Sequence, residues 1–229
     1  MNNNLILNYN KDIDCKIIID IIKKNGICIL NNFFDENILK KLEIEFEKVF
    51  NNYNNKIEIL NKENCSNDER IFYAEKYSEY IKDIFYNNNF FEEIALTYNK
   101  KLNKKTLLNK LTFEKGKIKN SGAGWHRDNH TCQFKAIMYL TDVSEENGNF
   151  QFLTNSSTKH IGYPEPRTKD YNTRFHDHTI EKIIQNDKNI NLLNITGKKG
   201  TVILVDTTYI HRGNIIKNGE RKAFTQYFF

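Results

Sequence analysis

Two short stretches, GWHRDN at residues 124–129 and GTVILVDTTYIHRG at residues 200–213, decide how the rest of the chain reads. Side chains on a strand alternate between faces, so His126 and Asp128 of the H-x-D pair point the same way. The run Gly200–Asp206 reads as a buried strand entering a turn, and His211 follows it. Two imidazoles and one carboxylate make the triangular face that a non-haem Fe(II) centre needs, leaving three positions for cosubstrate and dioxygen. An H-x-D pair alone is weak, because six histidines and many acids make chance pairs common. Here the order continues. Ten residues beyond His211 stands Arg221, at the start of a last strand. A buried arginine offers a planar fork of donors that matches a carboxylate in bidentate fashion, the natural grip for the distal carboxylate of 2-oxoglutarate.

Together with FKAIMYLTDVSEENGNFQFLTNSSTKH (134–160), ERKAFTQYFF (220–229) and the opening NGICILNNFFDENILKKLEIEF, these stretches resemble the phytanoyl-CoA dioxygenase family of Fe(II)/2-oxoglutarate oxygenases. The resemblance covers about residues 25–229. It implies iron ligation by His126, Asp128 and His211, and a cosubstrate anchor at Arg221. It further implies cosubstrate contacts on the strand before H-x-D, where Lys110 and Thr112 share a face, and a basic contact near Arg70. Relatives often carry a hydroxyl two positions after the distal histidine; this chain has Gly213, so Thr225 is the substitute candidate. The carboxylate at Asp128 favours hydroxylation or desaturation over halogenation, since halogenating relatives lack it.

At 229 residues the chain suits a single domain with a full core, and 39% hydrophobic and 13% aromatic content argues for a folded enzyme. No apolar run is long enough to cross a bilayer, which argues against a membrane role. The N-terminus lacks the charged and apolar regions of a secretory signal. Cys15, Cys28, Cys65 and Cys132 show no C-x-x-C pairing, which fits reduced thiols and a cytoplasmic protein. A net charge of +5 invites a nucleic-acid reading, but lysines are interleaved with nearly as many acids and no aromatic–basic platform is present. A small-molecule substrate is the expected partner.

Residues 11–24 carry isoleucines at helical spacing, with Gly26 as the stop and Ile27–Leu30 as a short strand. Asp35 is an N-cap for a helix whose Ile38, Leu39, Leu42, Phe46 and Val49 form one stripe. Asn51–Asp68 reads as a surface loop, and Ser78 and Asn89 as caps of two further helices. Strands are expected at Leu107–Phe113, Thr131–Val143, Gly148–Leu153, Asn191–Ile195, Thr201–Val205 and Lys222–Phe229, with Asn147-Gly148 as a hairpin signal. The expected fold is α+β, mainly β: a double-stranded β-helix (jelly roll) over 107–229, supported by a mostly helical segment 1–106. One irregular insert, about 161–190, reads as a lid. Its Tyr163, Arg167, Tyr171, Arg174, Phe175, His176 and His178 suit a small polar, anionic metabolite.

The implied reaction is oxidation of that metabolite with release of succinate and CO2, drawing on Fe(II), 2-oxoglutarate and dioxygen. Two rival classes are a jelly-roll binding protein without catalysis and a zinc hydrolase, the latter lacking an H-E-x-x-H helix. An oxygenase acting on an acyl-CoA or a protein is a third alternative. His176-Asp177-His178 is a rival metal pair without strand context. His130 is a candidate pocket residue, and His160 reads as a structural residue at a strand end.

Overall fold

The computed structural model describes residues 5–10, 12–59, 67–117, 124–129, 131–162 and 174–229. Helix α1 (Cys15–Asn25) begins where Asp14 accepts a hydrogen bond from the Lys16 amide and ends at Gly26, whose φ of 79° makes the left-handed turn. A Cβ at Gly26 would also lie 2.7 Å from the Tyr209 ring, so the position requires glycine twice over. Helix α2 (Glu36–Asn52) is capped by Asp35 and buries Leu39, Leu42, Phe46, Val49 and Phe50. A single turn, α3 (Glu79–Ile81), is capped by Ser78, and α4 (Asn89–Asn99) is capped by Asn88, one residue earlier than the sequence suggested.

The strands are β1 (Ile6–Asn8), β2 (Ile27–Asn31), β3 (Glu58–Ile59), β4 (Asn67–Phe72), β5 (Lys104–Thr112), β6 (Trp125–His126), β7 (Phe134–Tyr139) and β8 (Phe150–Leu153). They continue with β9 (Arg174–Phe175), β10 (Leu192–Ile195), β11 (Val202–Asp206), β12 (His211–Gly213) and β13 (Glu220–Phe228), with helix α5 (Asp177–Asn186) after β9. One sheet has eight strands in the order β1-β2-β11-β7-β13-β5-β4-β3, and the other has five in the order β10-β8-β12-β6-β9. The two sheets make a jelly roll.

Parity along each strand sorts residues into layers. On β11, Val202 and Leu204 join the core against the helices, whereas Ile203 and Val205 join the core between the sheets. On β7, Phe134, Ala136 and Met138 go to the helices, and Ile137 and Tyr139 go to the other sheet. A third cluster packs α5 on the outer face of the small sheet through Trp125, Leu153, Phe175, Ile180 and Ile210. Burying each large apolar side chain contributes about 1.5–3 kcal/mol.

Three expectations are corrected. The strand expected at Ile27–Leu30 is present as β2, but Asn51–Asp68, read as a surface loop, holds β3 and the start of β4, which join the large sheet. Asn147-Gly148 does not close a hairpin: β7 and β8 lie in different sheets, and the turn carries the chain between them. Its Gly148 has φ 73°, and a Cβ there would meet Leu111 at 2.9 Å. The described end of the insert is regular, because β9 pairs with β6 and α5 follows it. No helix among the described residues is long and apolar enough to cross a membrane.

Candidate active site

His126 and His211 sit directly opposite each other where β6 pairs with β12, so both imidazoles leave the small sheet on the same face. Their ring centroids are 4.5 Å apart. Each Nδ1 lies against a carbonyl two residues back, Gly124 O at 3.0 Å and Tyr209 O at 2.9 Å. A carbonyl only accepts, so Nδ1 carries the proton and the Nε2 lone pair is left facing inward. Asp128 fills the third corner, its backbone N–H bonded to Thr207 O at 3.0 Å. Its Oδ1 is 3.6 Å from His126 Nε2 and its Oδ2 is 3.4 Å from His211 Nε2. These three donor atoms lie within 4.8 Å of one another, the one such cluster among the described residues. Burial and the neighbouring His211 push the His126 imidazole down, which favours its neutral, ligating form.

Burial alone would raise the Asp128 carboxyl. The Lys135 ammonium, with Nζ 2.6 Å from Oδ2, and the two imidazoles hold it well below the usual carboxylate range instead. Sequence reasoning missed Lys135. Its signal was a lone cation in FKAIMY whose parity matches Ile137 and Tyr139.

The cavity between the sheets measures about 430 Å³, and Arg221 reaches its lining from β13. The Arg221 guanidinium donates to Gly148 O and, at 2.9 Å, to Asn109 Oδ1. Its Nε is buried without a hydrogen-bond partner among the described residues. Asn109 also donates to Asp68 Oδ1 at 2.6 Å, and Asp68 holds Arg70 at 2.9 Å through both carboxylate oxygens. Arg70, Thr225 and Gly213 all line the cavity. Lys110 and Thr112 do not. They share a face, as expected, but it is the opposite one, because Leu107, Asn109 and Leu111 turn to the cavity. Lys110 is paired with Lys222, whose ammonium meets Glu47 on α2.

Residues 22–223 match the family described as Phytanoyl-CoA dioxygenase (PhyH). The chain belongs to this family. Among solved structures it is similar to the non-heme alpha ketoglutarate dependent epimerase SnoN from nogalamycin biosynthesis. The TM-score there is 0.71 at 11% identity, over 94% of this chain and 82% of that one. It is also similar to EctD from S. alaskensis with bound Fe, with a TM-score of 0.67 at 16% identity, over 99% of this chain and 82% of the other. A further similar structure is the non-heme alpha ketoglutarate dependent carbocyclase SnoK, with a TM-score of 0.69 at 13% identity, over 95% of this chain and 84% of that one. Comparison with curated proteins finds no match.

In this phytanoyl-CoA dioxygenase family member, the middle residue of the H-x-D motif has its own task. Arg127 points away from the triad and is 1% exposed. Its guanidinium donates to Ser156 O at 2.9 Å, Ile161 O at 2.7 Å and Gly162 O at 3.0 Å, and lies 5.0 Å from the Phe175 ring. Arg212, next to His211, stacks on Trp125 at 4.4 Å and donates to Gln151 and to Asp177 of α5. The exit of the insert is therefore tied to both histidine strands. Arg174 stands opposite His126 and lines the cavity. His176 and His178 are exposed and stacked on each other at 5.4 Å, apart from the His126–Asp128–His211 cluster. His160 lies exposed in a turn. Cys132 Sγ meets Asp206 at 3.6 Å rather than the triad. His130, Tyr163, Arg167 and Tyr171 lie outside the described residues.

Proposed function

We propose that this protein is an Fe(II)/2-oxoglutarate-dependent dioxygenase that hydroxylates, or desaturates, a small polar or anionic metabolite. The observation that carries this reading is the His126–Asp128–His211 face with both Nε2 lone pairs turned inward. Nitrogen and carboxylate donors of this set suit Fe(II), and the rest of the cavity is left for ligands. The unpartnered Nε of Arg221, buried in the same cavity, fits an incoming carboxylate. In hydroxylation, a substrate C–H becomes C–OH with one atom of dioxygen, the other atom enters succinate, and 2-oxoglutarate loses CO2. Bound iron supplies the activation of dioxygen.

The chain's own residues supply the rest. Arg221 takes the distal carboxylate, with Asn109 fixing the plane of its guanidinium. Asn109 replaces Lys110 and Thr112 as the candidate contact on β5. Tyr139, Ile137 and Phe150 exclude water along the path between Arg221 and the triad. Arg174 at the cavity edge supports a charged substrate, and among the described residues the lining of a cavity of about 430 Å³ gives a long acyl chain no continuous apolar wall. The test is succinate release with Fe(II), 2-oxoglutarate and pools of candidate metabolites. Metabolite-dependent succinate above the uncoupled background is expected; its absence across pools, with metal bound, would favour a binding protein.

A further inference from the structure

Asp128 turns both of its oxygens to the imidazoles. Oδ1 lies 3.6 Å from His126 Nε2 and Oδ2 lies 3.4 Å from His211 Nε2, so neither is placed ahead of the other by distance. A carboxylate set this way can give a metal ion one oxygen or two. The difference matters for the site. Two imidazoles and one carboxylate oxygen leave about three positions of an octahedron open, whereas a chelating carboxylate leaves about two. The keto acid end of 2-oxoglutarate fills two positions, and dioxygen needs a further one.

Backbone structure does not make the choice, because Asp128 lies past the end of β6. Lys135 distinguishes the two oxygens. Its Nζ is 2.6 Å from Oδ2, whereas Oδ1 meets no ammonium or guanidinium among the described residues. A charge-assisted bond this short is strong, and it draws on the same lone pairs that a metal would use. Lys135 is itself firmly placed. It comes from the opposite sheet, on β7, which is hydrogen-bonded to β11 on one side and β13 on the other. Its side chain is 9% exposed, and Nζ lies 4.2 Å from the centre of the Tyr227 ring.

We propose that Lys135 is a positioning residue: it holds Oδ2 of Asp128, so that the metal receives Oδ1 alone and one more coordination position stays open. The proposal rests on the oxygenase reading above for what fills that position. The number of open positions is a property of the metal-loaded protein without cosubstrate, and can be counted there.

The test loads the full-length protein with Mn(II), protein in excess, and counts metal-bound water by pulsed EPR in D2O. Open positions fill with water, so about three bound waters are expected in the unaltered protein. Lys135→Arg keeps a charged donor and should keep that count. Lys135→Met has nearly the length of lysine without the donor, which frees Oδ2 for the metal, and its count should fall to about two. Saturating 2-oxoglutarate should then leave about one water in the unaltered protein and none in Lys135→Met. A lysine that served stability alone would lower the unfolding temperature of Lys135→Met and leave the count unchanged. About two waters in the unaltered protein, or about three in Lys135→Met, overturns the proposal. If Lys135→Met does not hold Mn(II), the count in the unaltered protein decides. A count of about three from which 2-oxoglutarate displaces no water would instead overturn the oxygenase reading and leave the role of Lys135 standing.

Discussion

The two sheets that enclose the cavity are built differently. The eight-stranded sheet delivers Asn109, Lys135 and Arg221 from strands of nine, six and nine residues. The five-stranded sheet delivers His126 and His211 from strands of two and three. Long antiparallel ladders fix, through their backbone hydrogen bonds, the positions from which these side chains project. Two-residue strands cannot, and here buried polar side chains do the fixing. Arg127 ties the H-x-D strand to three carbonyls, and Asp206 accepts from Thr208 and Tyr98 to shape the turn before His211. The placement of the two histidines thus depends on individual polar residues, and the backbone placement of Asn109, Lys135 and Arg221 on a ladder.

Breaking the metal side should cost most. Arg127→Leu leaves the buried Ser156 carbonyl and the part-buried carbonyls of Ile161 and Gly162 without this donor and removes a large buried side chain, and a loss of about 3–5 kcal/mol of stability is expected. Thermal unfolding should then fall by about 10 °C for a chain of this size. A change under about 1 kcal/mol would mean that the short strands hold themselves. On the ladder side the effect should move from stability to affinity. Arg221→Ala should weaken 2-oxoglutarate binding by about 2–5 kcal/mol, with Arg221→Lys recovering only part because an ammonium lacks the fork. Calorimetric titration of both variants checks this.

Asn109→Leu sharpens the comparison further. It removes a charge-assisted bond to Arg221 and one to the buried Asp68 carboxylate, so about 1.5–3 kcal/mol of 2-oxoglutarate affinity should be lost, with a smaller fall in unfolding temperature than in Arg127→Leu. Smallest of all, Lys110→Ala and Thr112→Ala face the helices and should leave that affinity within about 0.5 kcal/mol. A larger loss in either would place them back at the cosubstrate.

The site was legible where its signal was local and ordered. His126, Asp128, His211 and Arg221 follow one another with strand and turn chemistry around each, and Asp35 and Gly26 mark helix ends by capping alone. It was not legible where strands are buried on both faces. In FKAIMY and KKTLLNKLT, apolar residues occupy both parities, so nothing in the run says which face meets the cavity; hence the misplaced Lys110 and Thr112 and the unnoticed Lys135. β4 was read as the end of a loop and a loose basic contact because its cavity residues, Asp68 and Arg70, are charged. Asn147-Gly148 carried a true turn signal, but a turn between sheets and a turn between paired strands use the same residues.

The measurement that bears most directly on the metal face is anaerobic Fe(II) titration with 2-oxoglutarate present, followed by succinate release on admitting air. Stoichiometric Fe(II) binding is expected in the unaltered protein and in His176→Ala, and its loss in His126→Ala, Asp128→Ala and His211→Ala. Full Fe(II) binding and turnover in His211→Ala would contradict the assignment.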